Sequence, residues 1–219
     1  MSRVRVHAIS MSVDGFVAGP DQDVEHPLGV GGLKLHDWTF ATRTFRDIHG
    51  MSDGDTGVDG DLVSGGFSGI GATIMGRNMF GPVRGPWEDD AWTGWWGETP
   101  PFGHSVFVLT HHPRPDLEMA GGTTFHVVTA GIDAALARAR HAAAGADVRI
   151  GGGAAIIREF LRAGLIDDMH VAVVPVVLGR GERIFVDLED LPSKYRSEEL
   201  VSTAMAAHIR LVRIAEPRA

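Results

Sequence analysis

Three consecutive glycines stand between a short apolar segment and an amphipathic one within residues 147–164. Residues 151–153 carry no side chain, so their backbone can lie flat against a bulky ligand. The helix predicted after them has no acidic residue in its first turn, so its N–H groups and positive dipole end are free for an anion. The stretch predicts a site for a dinucleotide pyrophosphate, and close helix–strand packing is the alternative use of such glycines. A Rossmann fingerprint fits poorly, because no acidic residue follows about 20 positions on.

Two further predicted strands end in residues that suit the same ligand. Arg77 follows one of them and offers a planar fork of donors for phosphate, whereas Thr110 and His111 follow another. Ligands of open α/β sheets bind outside the carboxyl ends of the strands. We therefore expect one dinucleotide to span all three strand ends, with a 2′-phosphate near Arg77 and Thr110. A surface ion pair of Arg77 and a solvated turn at His111 are the alternatives.

Composition limits the class of protein. The chain has 219 residues, of which 44% are hydrophobic and 22% charged, and this balance is typical of a globular protein. We expect one domain over residues 1–219, with long loop insertions near 20–36 and 81–104. The net charge of −8 argues against a nucleic-acid surface. The lack of cysteine excludes disulfides, thiolate catalysis and cysteine-based zinc sites. No apolar run is long enough to span a membrane, so we expect a cytoplasmic location and no membrane partner.

Predicted strands and helices alternate along the chain. Periodicity predicts strands over 3–10, 72–75, 105–110, 124–128, 147–150 and 169–178, and one or two more within 200–214. It predicts helices over 35–49, weakly over 62–70 with a break at Gly65 and Gly66, over 132–143, and after the triple glycine. This alternation indicates an α/β fold, with a mostly parallel sheet between helices on both faces and an antiparallel C-terminal edge. Pro175 suggests that the strand over 169–178 is an edge strand or contains a bulge.

Five segments in order carry a resemblance to a known family. They are Ser-Val-Asp-Gly-Phe-Val-Ala-Gly at 12–19, Ile-Met-Gly-Arg-Asn-Met-Phe at 74–80, the strand and turn at 106–114, Ile-Gly-Gly-Gly-Ala at 150–154, and residues 165–181. With them the chain resembles the dihydrofolate reductase-like superfamily from residue 4 to about 186. It is most similar to the branch of the reductase domain of the riboflavin-biosynthesis deaminase–reductase. The deaminase half is absent, because its zinc signature needs cysteines.

The resemblance implies a three-layer dihydrofolate reductase-like fold with NADPH lying across the strand ends. The residues implied at the cofactor are Gly76, Arg77 and Asn78 at the phosphates; Leu109, Thr110 and His111 beside the adenosine and 2′-phosphate; Gly151, Gly152, Gly153, Ala154 and Ala155 at the pyrophosphate; and Ala8, Val17 and Ala18 against the nicotinamide.

The candidates for the substrate side are two carboxylates and two tryptophans. Asp14 is similar to an aspartate of this branch, but it can equally cap its turn through an Asx hydrogen bond. Asp37 lies roughly where folate reductases carry the carboxylate that binds the pterin, but it also suits the first turn of a helix. Trp38 and Trp87 are candidates for substrate contact. The tryptophans of 87–96 can stack on a flat heterocycle, anchor a lid, or form a dimer contact.

From this resemblance we predict an NADPH-dependent reductase of the 5-amino-6-(5-phosphoribosylamino)uracil reductase type. Its substrate would be a small heterocycle or a ribosylamino-pyrimidine. One alternative is a nucleotide-binding protein of the same fold without turnover, and another is a true dihydrofolate reductase. The expected partners are a small-molecule substrate and a second copy of the chain in a homodimer built around the strand at 169–178. We expect no metal, since the histidines lack a carboxylate at ligand spacing.

Overall fold

One nine-stranded sheet runs through the computed structural model, which describes residues 2–81, 84–87 and 91–215. Its strands are β1 (Val4–Ser12), β2 (Ile70–Gly76), β3 (Ser105–Leu109), β4 (Leu117–Glu118), β5 (Thr124–Val128), β6 (Asp147–Gly152), β7 (Asp168–Val174), β8 (Tyr195–Ser202) and β9 (Ala207–Arg213). Their order across the sheet is β4-β5-β3-β2-β6-β1-β7-β9-β8. The six strands from β5 to β7 in this order pair in parallel, and β9 and β8 form an antiparallel edge. The predicted sheet is confirmed; the short antiparallel strand β4 at the other edge was not predicted.

Helices cover both faces of the sheet, as predicted. They are α1 (Asp37–Phe40), α2 (Arg43–Ile48), α3 (Val58–Phe67), α4 (Arg77–Phe80), α5 (Gly131–Ala142), α6 (Ala154–Arg162) and α7 (Leu191–Lys194), with 3-10 turns at Gly32–His36 and Ala120–Gly122. The apolar faces of α5 and α6 pack on the alternate residues Val4, Val6, Ile74, Val148 and Ile150 of the central strands. On the opposite face, α1 and α3 contribute Trp38 and Val63 to a second core.

Three details of the predicted elements are wrong. The helix predicted over 35–49 is split, because Thr42 has extended backbone and its hydroxyl accepts the Phe45 N–H as the cap of α2. Helix α3 continues through the glycines expected to break it, and a Cβ on Gly66 would lie 2.5 Å from Nδ1 of His7. The glycine therefore lets α3 approach β1. Strand β7 is internal and stops at Val174, so Pro175 follows the strand and removes no hydrogen bond from its interior.

The two predicted loop insertions carry little regular structure. Residues 20–31 contain neither helix nor strand, and the same holds for the described residues of 81–104. In the second loop, the indole of Trp96 stacks on Phe125 with ring centroids 5.8 Å apart, and Nε1 of Trp92 donates to the carbonyl of Phe80 at 3.0 Å. The loop is thus packed onto the sheet by its aromatic residues. Within the described ranges, no helix is long and apolar enough to cross a membrane.

Candidate active site

The carboxyl ends of the parallel strands β1, β2, β3 and β6 meet at one cleft with a volume of about 810 Å³. Every residue predicted for the cofactor lies on its wall: Ala8, Val17, Ala18, Gly76, Arg77, Asn78, Leu109, Thr110, His111, Gly151, Gly152, Gly153, Ala154 and Ala155. These residues come from five separate segments of the chain. Their role toward a cofactor stays a prediction, but the structure does bring them together in one cavity.

The glycine turn leaves the start of α6 open toward the cleft. Strand β6 continues as far as Gly152, and Gly153 precedes α6 with φ of 89° and no side-chain cap. The first turn of α6 contains no acidic residue. A Cβ on Gly152 would lie 3.0 Å from Sδ of Met79, in backbone whose φ of 152° also disfavours a side chain. The turn therefore has the two properties of an anion cradle, which are bare backbone and uncapped N–H groups.

Arg77 presents unused hydrogen-bond donors at the end of β2. Its guanidinium carbon lies 3.6 Å from the ring centroid of Trp87. Its Nε and Nη1 are buried, and they find no partner among the described residues. Burial, with the nearby Arg114, lowers the pKa of Arg77. A buried donor without a partner is destabilising, so this fork is suited to a ligand that supplies acceptors.

Trp87 holds Arg77 in place. Its indole Nε1 donates to the carbonyl of His112 at 2.9 Å, and the backbone N–H of His112 donates to Oγ1 of Thr110 at 3.1 Å. The ring therefore ties α4 to the turn after β3, and it is not on the cleft wall. The prediction that Trp87 contacts the substrate is not supported by this geometry. Its place behind the guanidinium indicates a supporting role.

A chain of polar side chains crosses one rim of the cleft. When the amide oxygen of Asn78 faces Arg84, it accepts from Nε and Nη2 of Arg84 at 2.9 and 3.0 Å. Arg84 also donates to Glu182 at 2.8 Å. All three residues line the cavity. Asn78 is therefore engaged in ordering the rim as well as exposed to the cavity.

The backbone of β1 is irregular where it lines the cleft. Ala8 has φ of 57°, which is unusual for a residue with a side chain, and the pairing of β1 with β7 shifts register between Val6 and Ile9. The N–H of Ala8 donates to Nδ1 of His170 at 3.2 Å. The strained backbone of Ala8 is therefore held by a buried imidazole.

That imidazole belongs to a directed hydrogen-bond chain. Because Nδ1 of His170 accepts from Ala8, neutral His170 carries its proton on Nε2 and donates it to Nδ1 of His208 at 3.1 Å. Nε2 of His208 then donates to Oδ1 of Asp59 at 2.8 Å. Burial, with the neighbouring His208, lowers the pKa of His170 to about 4. The chain therefore runs from a carboxylate on α3 to the backbone of the cleft with every donor matched to an acceptor.

Two other histidines and a serine line the cleft, and sequence analysis did not select them. Nε1 of Trp38 donates to Oγ of Ser10 at 2.9 Å, and Oγ of Ser10 lies 3.4 Å from Nδ1 of His36. Burial lowers the pKa of His36 to about 4, and burial with the nearby His170 lowers that of His7 to about 3. Both imidazoles are therefore neutral at pH 7. The sequence signal for His7 is only its place beside Ala8.

The two predicted catalytic carboxylates lie outside the wall of the cleft. Asp14 accepts the backbone N–H groups of Leu178 and Gly179 at 3.2 and 2.7 Å. A hydrogen bond from Ser12, together with these N–H groups, lowers the pKa of Asp14. Asp37 is exposed in the first turn of α1. The structure favours the structural alternatives for both, because Asp14 joins two turns and Asp37 suits the helix dipole.

Trp38 is a core residue. It is 1% exposed, and its ring lies 5.0 Å from that of His208 and 6.1 Å from that of His170. Its indole supports Ser10 and the imidazole chain from behind. The geometry does not support the expected substrate contact of this residue, because its side chain packs behind the cleft wall.

Comparison with known proteins identifies the family. A family model described as the RibD C-terminal domain matches residues 5–211. This chain belongs to the RibD C-terminal domain family. The resemblance of the sequence to the riboflavin-biosynthesis reductase branch is thereby confirmed. Among curated proteins, YyaP of Bacillus subtilis, an uncharacterized protein, is 40% identical over 45 residues, which are 20% of this chain and 24% of that protein.

Solved structures of two riboflavin-biosynthesis proteins and of a dihydrofolate reductase share the fold. A putative riboflavin biosynthesis protein from Shewanella sp. PV-4 is 20% identical, with a TM-score of 0.57, over 98% of this chain and all of the other. The deaminase/5-amino-6-(5-phosphoribosylamino)uracil reductase of Thermotoga maritima is 12% identical, with a TM-score of 0.54; 97% of this chain matches 57% of that one. Dihydrofolate reductase from Enterococcus faecalis, complexed with NADP(H), is 15% identical, with a TM-score of 0.50, over 97% and 96% of the chains. At these identities the likeness establishes the fold alone.

Proposed function

We propose that this RibD C-terminal-like chain is an NADPH-dependent reductase of a small heterocycle or a ribosylamino-pyrimidine. The observation that carries the proposal is one cleft in which an uncapped glycine turn and the unpaired donors of Arg77 stand at neighbouring strand ends. Two anion-binding elements on one wall match a ligand with separated phosphates. Membership of a reductase family supports the same conclusion.

The residues that would hold NADPH follow from these elements. The N–H groups that begin α6 would bind the pyrophosphate, and Arg77 with Thr110 would bind the 2′-phosphate. Ala8 would lie against the nicotinamide, with its backbone fixed by His170. When bound, the nicotinamide supplies the hydride, so the protein must orient the substrate and provide a proton.

Neutral His36 is the hydrogen-bond donor that we favour at the reacting atom in place of the two aspartates. In the tautomer in which Nδ1 of His36 accepts from the Ser10 hydroxyl, 3.4 Å away, the ring proton of His36 is on Nε2. His36 lies on the cleft wall, and its low pKa keeps it neutral in the pH range of the cell. This N–H can donate a hydrogen bond to a carbonyl oxygen or imine nitrogen as negative charge develops there, and a solvent water then supplies the proton, so that His36 stays neutral.

A reduction assay tests the proposed function. Purified protein is mixed with NADPH and a panel of pyrimidine and pterin compounds, and loss of the reduced-nicotinamide absorbance is followed. We expect consumption with at least one pyrimidine or pterin other than dihydrofolate, and none in the variant Gly152→Val. NADPH binding without consumption by any member would support the alternative without turnover. Reduction of dihydrofolate alone would support the folate-reductase alternative instead.

The assembly that we propose is a homodimer, but through a different surface from the one predicted. Strand β7 lies between β1 and β9, so its edges are not free to pair with a second copy. Strand β8 is an edge of the sheet, and its Leu200 is 71% exposed. An edge strand with an exposed apolar residue is suited to pairing with a second copy. Sedimentation of the wild type and of Leu200→Glu tests this, and a wild-type monomer would refute it.

A further inference from the structure

Arg149 is a partly buried arginine on the wall of the cleft. It lies on β6, in register with Arg5 of β1 and Thr73 of β2. Its guanidinium carbon is 4.8 Å from the ring centroid of Phe67, and its Nε is fully buried. Within residues 2–81, 84–87 and 91–215, we find no hydrogen bond and no ion pair for this side chain.

The neighbouring Arg5, in contrast, has acceptors for its guanidinium group. Arg5 donates to the carbonyls of Ser68 and Gly65 at 2.9 and 2.8 Å, and it lies 3.5 Å from Oδ2 of Asp147. The same carboxylate also pairs with Arg3 at 3.1 Å. The nearby acid is therefore already shared between two arginines, and the charge of Arg149 is left without a counter-ion from the described chain.

The charge of Arg149 persists at neutral pH. Burial, with the nearby Arg5, lowers the pKa of Arg149 to about 10, which leaves the guanidinium protonated. Arg149 in turn contributes to the lowered pKa of His7 and of His104. This end of the cleft therefore carries positive charge on a partly buried side chain.

Leaving such a charge unpaired is costly to the free protein. A buried ion without a partner loses more hydration energy than one cation–π contact returns. Proteins that retain such a group commonly use it at a functional site. The guanidinium is also planar and presents parallel N–H groups, which match the two oxygens of a carboxylate.

The space around Arg149 limits where on a ligand the compensating negative charge can lie. Arg149 lines the main cleft and also a small chamber of about 130 Å³, which is bounded by Thr73, His104 and Phe67. Thr73 and His104 are hydrogen-bonded to each other at 2.8 Å. His7, which precedes Ala8 on the adjacent strand β1, is near enough to Arg149 for the charge of Arg149 to lower its pKa. A chamber of this small volume favours an oxyanion attached directly to a ring over one on a long tail.

We propose that Arg149 binds a carboxylate that is attached to the ring of the substrate. The inference rests on the proposed function, since it assigns a charge to the substrate of the same cleft. Phe67 supplies an apolar surface beside the guanidinium, and the unpaired N–H groups of Arg149 supply the donors. The ligand class is thus a small heterocyclic carboxylate, whose charge supplies the counter-ion that Arg149 does not find among the described residues.

Binding of charged and neutral ligand pairs tests the assignment. Calorimetry measures orotate against orotamide, which differ only in the charge of one substituent, and uridine 5′-monophosphate against uridine, in which the charge is on a tail. We expect orotate to bind at least tenfold more tightly than orotamide to the wild type. In Arg149→Met this preference disappears, and in Arg149→Lys it is partly kept. In the matched control Arg138→Met it is unchanged, because exposed Arg138 lies 5.3 Å from Phe107 outside the cleft.

Several outcomes would overturn the assignment. These are no preference for orotate over orotamide in the wild type, a preference that survives in Arg149→Met, or a charge preference for the phosphate pair alone. The measurement needs neither NADPH nor turnover, so failure of the reductase assay is distinguishable from failure here. Thermal melting adds a second readout. Arg149→Met should melt at a higher temperature than the wild type, and a lower one would identify Arg149 as a packing residue.

Discussion

Replacing Arg77 with methionine should convert an NADPH-selective cleft into one that does not distinguish NADPH from NADH. Two N–H groups of Arg77 are buried without a partner among the described residues, so a 2′-phosphate can take up at least one charged hydrogen bond. Such a bond contributes roughly 1.5–3 kcal/mol, which corresponds to about 10- to 150-fold in Kd. NADH lacks the 2′-phosphate, so its Kd should change by less than about threefold. Methionine keeps an apolar stem over the indole of Trp87.

The assay is quenching of tryptophan fluorescence by each dinucleotide in the wild type, in Arg77→Met and in a control. Arg158→Met is the control, because Arg158 donates to the carbonyl of Arg183 and lies outside the wall of the cleft. Its two Kd values should equal those of the wild type. Equal weakening of NADPH and NADH in Arg77→Met would refute the 2′-phosphate assignment. Unchanged NADPH binding would refute any role of Arg77 in the cofactor site.

Three further predictions follow from single contacts. Gly152→Val should abolish binding of both dinucleotides with the far-UV circular dichroism unchanged, because its side chain would enter the cradle beside Met79; normal binding would contradict the pyrophosphate site. Since burial lowers the pKa of His170 from an ordinary 6.5 to about 4, its contribution to stability is complete above pH 6.5 and is lost as pH falls toward 4. The free energy of unfolding, measured with urea, should fall by ~3 kcal/mol from this cause. The fall should be smaller in His170→Gln, and an equal fall in that variant would exclude His170 as the cause. Asp14→Ala should lower the melting temperature and leave the Kd of NADPH within about twofold, since Asp14 bonds the backbone of Gly179; lost turnover at an unchanged melting temperature would restore the catalytic hypothesis.

The predictable part of the site depends on local patterns and on one rule of sheet geometry. The glycine turn, Arg77 and Thr110 each follow a strand that is recognisable from its apolar residues. Because parallel strands end at the same edge of a sheet, three separate segments were expected at one place, and they line one cleft. The order of β1, β6 and β2 at the centre did not have to be known for this, since any parallel arrangement gathers their carboxyl ends.

The remaining part of the site depends on neighbours across the sheet, which local sequence does not encode. His170 and His208 are 38 residues apart and meet because β7 and β9 pair antiparallel. Nothing in the local sequence distinguishes Arg149 from other arginines. Its lack of an acceptor among the described residues is seen only in the structure, where Arg5 uses the nearby carbonyl and carboxylate groups. The split of the helix at Thr42 was missed because its hydroxyl is used as a cap, and a β-branched threonine is compatible with both interpretations.

The central claim is that this cleft binds NADPH across the strand ends, and a titration of the wild-type protein tests it most directly. Purified protein is titrated with NADPH and with NADH while tryptophan fluorescence is followed, because Trp95 and Trp96 line the cleft and Trp87 stacks on Arg77. The account predicts saturable quenching by both, with NADPH binding at least about tenfold more tightly than NADH. If neither dinucleotide bound, the claim would be contradicted and the proposal of a reductase would lose its basis.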